Sequence, residues 1–217
     1  RTAWTYIASG TLRRLMWLRK GPVIAALYPV GMLLVQLLVA ILLGRLAAAI
    51  VALLPFGGVL GQVVTVLSWI VWVAVAIVVL RWFKKKDGRF FAYYLMHDYA
   101  YSARLNGANP PQLEERMATF ADRIAEALGE DLDEVLVVGH SSGAHLGVSI
   151  LSDLHRAGRV APDGPALSFL SLGQVVPMVS FLKGAKRLRR DLHFLSQQAM
   201  PWVDVTAPGD GCAFALC

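Results

Sequence analysis

Not one aspartate or glutamate occurs between Arg1 and Lys86, a stretch that holds ten lysines and arginines. All fifteen acids lie from Asp87 onward, beside eleven bases. The formal net charge of +6 is therefore +10 in the first part and −4 in the second. Nothing interleaves aromatic and basic residues as a base-stacking groove does, so nucleic acid is not the expected partner. Cysteine is almost missing as well. Cys212 and Cys217 are the only two, and they read as unlinked, reduced thiols. Four intervening residues with no histidine nearby make a poor zinc site, so no metal is expected. The chain begins with Arg1 rather than Met, as an incomplete or processed N-terminus would.

What the chain has in excess is hydrocarbon. Hydrophobic residues make up 56% of it, against roughly 45–50% in soluble domains. Pro22 to Leu43, "PVIAALYPVGMLLVQLLVAILL", holds Gln36 as its one strongly polar residue. A helix over 22–43 is long enough for a bilayer core of roughly 30 Å. Val63 to Trp82 forms a second span. Its β-branched residues would suit a buried strand, but strands run to about 10 residues at most. Between them, "LLPFGG" is a turn signal. Gly57 and Gly61 have helix-contact spacing beside that turn. A cleaved signal peptide is excluded by position and by the second span.

Lysine and arginine flank the hairpin and Arg45 alone lies in the connection, which places both hairpin ends in the cytoplasm of a bacterial inner membrane protein. Two spans with one arginine and no inward acid offer no ion path, so a transporter is a poor reading. Thr2 to Lys20 mixes Trp4, Tyr6, Ile7, Leu12, Leu15, Met16, Trp17 and Leu18 with basic residues. This segment is either an interfacial helix leading into the membrane or a helix packed on the soluble part. The expected domains are thus a juxtamembrane segment over 1–21, the hairpin over 22–86 and a cytoplasmic domain over 87–217.

The soluble part alternates strand and helix. "RFFAYYLM", 89–96, reads as an aromatic strand, and 110–129 as a helix with Pro and Glu in its first turn and Gly129 as its stop. "EVLVV", 134–138, is apolar on both faces, as in a central parallel strand. A helix fits Ser142 to Ala157, a buried strand 166–173, a basic helix 181–198 interrupted at Gly184, and a strand 202–206. These four strands imply an α/β domain with a mostly parallel sheet flanked by helices.

At the centre of that pattern stands Gly139-His140-Ser141-Ser142-Gly143. G-x-S-x-G carries chemistry when a buried strand enters it and a helix leaves it. The serine is then held in a strained turn at the carboxyl edge of the sheet. Flanking glycines remove Cβ atoms that would collide with strand and helix. Gly143, Ala144 and Gly147 let the helix approach closely. The backbone N–H of Ser142 is positioned to stabilise an oxyanion.

On these residues the chain resembles the α/β-hydrolases, and within them the class 3 lipases, whose elbow reads G-H-S-x-G. The preceding "FADRIAEAL" and the later "FLSLGQVVP" are similar to that group too. The likeness covers roughly 89–215. Ser142 stands where Leu is common, and a membrane hairpin is foreign to typical members. The resemblance implies a nucleophile, Ser141, and an acid following a later strand. Asp210, between Gly209 and Gly211, matches that place, with Asp204 in the strand as the alternative. It implies hydrolysis of an acyl ester without metal or organic cofactor, on a small-molecule or lipid substrate reached from the membrane.

The base is the gap. No histidine follows Asp210. His140 adjoins the nucleophile and points away, His145 and His155 are expected to cap the elbow helix or face solvent, and His193 belongs to the basic helix. His97, at the end of the aromatic strand, is a candidate for the pocket. The histidine of the triad is then expected outside residues 1–217. Lys183, Lys186, Arg187, Arg189 and Arg190 are either a headgroup-facing patch or a solvated helix face. The rival reading is an inactive hydrolase fold serving as a membrane scaffold or a subunit bound to partner proteins.

Overall fold

A computed structural model describes residues 1–207, 210 and 213. Gly209, Gly211, Cys212 and Cys217, named above, lie outside the described residues. In chain order the elements are α1 (Thr2–Ala8), α2 (Thr11–Leu18), α3 (Lys20–Ala26), α4 (Tyr28–Ala52), α5 (Gly58–Lys85), α6 (Asp87–Phe90), α7 (Ala92–Arg104), α8 (Pro111–Leu128), β1 (Glu134–His140), α9 (Ser142–Arg156), β2 (Ala166–Leu172), α10 (Val176–Ser180), α11 (Lys186–Leu195) and β3 (Trp202–Val205). The protein is mixed α/β and divides into two compact units. One joins Arg1–Ala26 to Tyr99–Cys217, and the other is Leu27–Asp98.

The second unit is built on α4 and α5, two helices long and apolar enough to cross a membrane. Their most apolar windows are only 17% and 6% buried, whereas the core helix of a soluble protein is mostly covered. The first apolar run breaks at Leu27 into α3 and α4. Pro29, in the first turn of α4, has no N–H and its ring crowds the carbonyl four residues back, so one unbroken helix is disfavoured there. The first long helix extends through Arg45 into the connecting segment and ends at Ala52. The close approach between helices is at Gly44, not at Gly57 or Gly61. A Cβ on Gly44 would lie 2.5 Å from Trp72 Cδ1 and 2.7 Å from the Trp72 carbonyl oxygen. The Trp72 indole N–H donates to the Ile41 carbonyl at 3.3 Å. Gln36 is fully buried with both side-chain polar atoms unpartnered.

Residues 89–96 are not a strand. Apart from Phe91 between them they belong to α6 and α7, and Asp87, just outside the aromatic run, caps the second helix. Its carboxylate accepts the backbone N–H groups of Tyr93 at 3.0 Å and Tyr94 at 2.9 Å. This satisfies donors that the first turn of α7 would otherwise leave open.

The first unit holds a three-stranded parallel sheet in the order β1-β2-β3. β1 is therefore an edge strand among the described residues, and β2 is central. Residues of α8, α9 and α11 pack on one face, where Met117, Val148, Leu151, Leu154, Leu167, Phe169 and Leu188 form the core. Among the described residues no helix of the core covers the far side of β1 and β3. Leu136, Val138, Val203 and Val205 on it are 50–59% exposed.

The N-terminal helices pack on this same unit. Tyr6, Leu15 and Val23 share a buried cluster with Ala103, Val175, Met178 and Leu182, and the buried Thr11 hydroxyl donates to the Phe181 carbonyl at 3.1 Å. Trp4 and Trp17 remain exposed.

Candidate active site

β1 delivers the chain to a sharp bend and α9 carries it away. At the bend Ser141 has φ 53° and ψ −118°. That is a conformation an L-residue avoids, at a cost of about 1–3 kcal/mol. Two hydrogen bonds hold it. The Ser141 N–H donates to the Leu172 carbonyl at 2.9 Å, and the Ser141 carbonyl accepts from the Ala144 N–H at 3.2 Å. The bend is possible because Gly139 lacks a side chain. A Cβ there would lie 2.8 Å from Ala144 Cα and 2.9 Å from the Gly143 carbonyl oxygen. Gly147 serves the same end one turn on, where a Cβ would meet the Phe169 ring at 2.8 Å. Gly143 does not, since a Cβ there would meet nothing within 4 Å.

Ser141 is half-buried, and Ser142 opens the first turn of α9. Backbone N–H groups at a helix start face outward along the axis and favour negative charge.

Asp210 and Ser141 converge on consecutive residues at the carboxyl end of β2. Ser141 is bonded to Leu172, and Asp210 Oδ2 lies 2.5 Å from where a Gly173 Cβ would stand. Gly173 has φ +51°, and its N–H donates to the Val205 carbonyl at 3.0 Å. The loop bearing Asp210 is closed by its N–H donating to the Ala207 carbonyl at 3.0 Å. Serine after one strand and acid after the strand two places along the sheet is the order expected of the crevice at strand carboxyl ends.

Asp204 is engaged within the sheet. It sits opposite Ser171 in the β2–β3 register, and the Ser171 hydroxyl donates to its carboxylate. The Trp202 indole N–H donates to the same Ser171 oxygen at 2.9 Å.

The histidines are dispersed. His97 is exposed on α7, in the unit Leu27–Asp98, rather than at the end of a strand. His140 is exposed on β1 and, by the alternation of the strand, shares the open face with Leu136 and Val138. His145 neither caps a helix nor faces solvent. It is buried in the first turns of α9, its Nδ1 has no partner, and burial pushes its pKa down to about 4. His155 is lowered too, for the same reason. His193 is exposed beside Gln197. Among the described residues none of the five hydrogen-bonds the Ser141 hydroxyl.

The basic helix is largely committed inward. Arg187 reaches Glu114 at 2.5 Å, Asp153 at 2.5 Å and Asp191 at 3.4 Å. Arg156 reaches the buried Asp191 at 2.6 Å. Arg189 donates to the carbonyls of Ser180, Leu182 and Lys183. Of the five cations read as one patch, only Lys183, Lys186 and Arg190 remain for it. The buried histidine and this ion network were both missed from sequence. The four-residue step from Ser141 to His145 was the signal for the first, and the second left none because its acids come from other helices.

No family model, curated protein or solved structure matches the chain. The functional reading rests on the geometry at Ser141.

Proposed function

We propose that this chain is a membrane-anchored serine hydrolase acting on a lipid or other acyl ester, of the α/β-hydrolase type and similar to class 3 lipases. The observation that carries the reading is the backbone of Ser141, held at φ 53° between a parallel strand and a helix. A residue kept in such a conformation by its surroundings is a signature of a working site. Asp210, seated over Gly173 beside the Leu172–Ser141 bond, supports it as the acid.

In this mechanism a base takes the Ser141 proton as Oγ attacks the ester carbonyl carbon. The tetrahedral oxyanion receives hydrogen bonds from the Ser142 N–H and one further donor at the start of α9. Collapse expels the alcohol, which takes the proton back from the base. Water, deprotonated by the same base, then attacks the acyl-serine; the bond to Ser141 Oγ breaks, Oγ takes the proton from the base, and the acid is released. Asp210 orients the base and stabilises its cationic form. The base in such a mechanism is a histidine, and none of the five described histidines hydrogen-bonds Ser141.

The hairpin places this domain at the bilayer. Ala26 and Tyr99 both belong to one compact unit, so a membrane-spanning α4–α5 pair returns the chain to the side it left. The lysine and arginine bias makes that side the cytoplasm.

The test is labelling by a fluorophosphonate in native membranes, with Ser141→Ala as control. Labelling that disappears in the variant supports the hydrolase. That no described histidine hydrogen-bonds Ser141 favours a second reading, a scaffold that binds partner proteins in a membrane complex. Full-length protein that resists every fluorophosphonate while remaining folded would establish it.

A further inference from the structure

The outer face of α2 is an apolar groove with a cationic rim, and we infer that it holds an anionic lipid of the bilayer. The inference rests on the reading that the α4–α5 hairpin is in a membrane, and not on hydrolysis.

α2 has two faces with different tasks. One is fixed to the domain, through the buried Thr11 and Leu15 and the Thr11–Phe181 hydrogen bond. The other leaves Trp17 89% exposed. A tryptophan this open is costly in water and ordinary at a headgroup layer, where the ring sits in the boundary region. Arg13, Arg14, Trp17, Leu18, Lys20 and Phe181 all line the groove, and the three cations are exposed.

These three cations form no ion pair among the described residues, whereas Arg156, Arg159 and Arg187 on the same unit all do. No acid lies anywhere between Arg1 and Lys86 to neutralise them. An apolar trough with unneutralised cations at its edge matches an acyl chain ending in a phosphate. Chain connectivity ties the groove to the first apolar span, since only Arg19 to Leu27 lie between α2 and α4. The lipid tail rests on Trp17 and Phe181, and its phosphate meets Arg13, Arg14 and Lys20.

The experiment is photo-crosslinking of the full chain in phosphatidylcholine vesicles. Each sample carries a trace of a diazirine lipid with either a phosphatidylglycerol or a phosphatidylcholine headgroup, and labelled peptides are mapped by mass spectrometry. Peptides of α4 and α5 are expected to label with both lipids. Peptides covering residues 11–20 are expected to label roughly tenfold more with the anionic lipid, given three cations near the surface. That preference is expected to collapse in Arg13→Gln/Arg14→Gln and in Lys20→Gln, while Trp17→Ala lowers labelling at α2 by either lipid. An unchanged melting temperature confirms that each variant is folded. Equal labelling of α2 by both headgroups, or none at α2 with α4 and α5 labelled, overturns the lipid site alone. No label on α4 and α5 overturns the membrane reading and this site with it.

Discussion

Gly139 and Ala144 stand so close that a methyl group on the glycine would lie 2.8 Å from the Ala144 α-carbon. Strand β1 and helix α9 meet there backbone to backbone, and the meeting fixes where the Ser141 hydroxyl can be. The two glycines of the elbow are consequently not equivalent.

Gly139→Ala is expected to destabilise the domain by about 1–3 kcal/mol, the usual cost of overpacking, because backbone rather than a flexible side chain must move. Gly143→Ala meets open space and is expected to be neutral or stabilising by up to about 1 kcal/mol, as for other helical glycines. Thermal melts of the two variants in the same detergent separate them.

Ser141→Gly is expected to remove the nucleophile and stabilise the protein together. Glycine adopts φ 53° without the strain that Ser141 bears, so a gain of about 1–2 kcal/mol follows, less any lost packing. Ser141→Ala keeps the strain and shows no such gain. A higher melting temperature for the glycine variant, with fluorophosphonate labelling lost in both, is the expected pair of results.

His145 makes stability depend on pH with a definite sign. Its pKa is lowered from 6.5 to about 4 by burial, so below pH 6.5 the unfolded chain takes up a proton that the folded chain refuses. Stability is whole above pH 6.5 and falls as pH drops toward 4, by on the order of 3 kcal/mol. His155, shifted in the same direction, adds to the slope. Denaturant titrations between pH 7.5 and 4.5 are expected to show the loss, and His145→Leu to flatten it.

Arg187→Met is expected to cost about 3 kcal/mol. It strips one partner from Asp191, which is only 2% exposed in its side chain, and cuts the link between α8, α9 and α11. Lys183→Met and Lys186→Met, on the exposed side of the same segment, are expected to change stability by less than about 0.5 kcal/mol.

In the hairpin, Gly44→Leu is expected to part α4 from α5, since the added side chain would enter the Trp72 backbone and ring. Gln36→Leu is expected to stabilise by about 1 kcal/mol or more, because it replaces a buried amide that has no hydrogen-bond partner. Protease resistance of the hairpin in micelles reads both.

How much of this was legible in the sequence depended on how local its cause is. Helix α8 could be read outright, since Pro111, Glu114 and the apolar period lie within it and Gly129 directly follows it. The elbow was legible for the same reason. Residues 89–96 misled because aromatic composition favours strands, while the deciding group, the Asp87 carboxylate, stands just outside the run. The hydrophobic faces of β1 suggested a central strand, but strand order depends on pairing with residues far along the chain, and among the described residues β1 pairs with β2 alone. Arg187 and Arg189 looked like surface charge because their partners come from α8, α9 and distant carbonyls. Asp210 was placed by resemblance. Its seat on Gly173 needed coordinates.

The threading of Arg1–Ala26 into the same unit as Tyr99–Cys217 has a consequence for biogenesis. During synthesis α1 and α2 leave the ribosome well before the residues that bury them, Val175, Met178 and Leu182. That segment must wait, uncovered, while the apolar pair and most of the sheet are made, so a chain that stalls before Val175 leaves it open for quality-control proteases to seize.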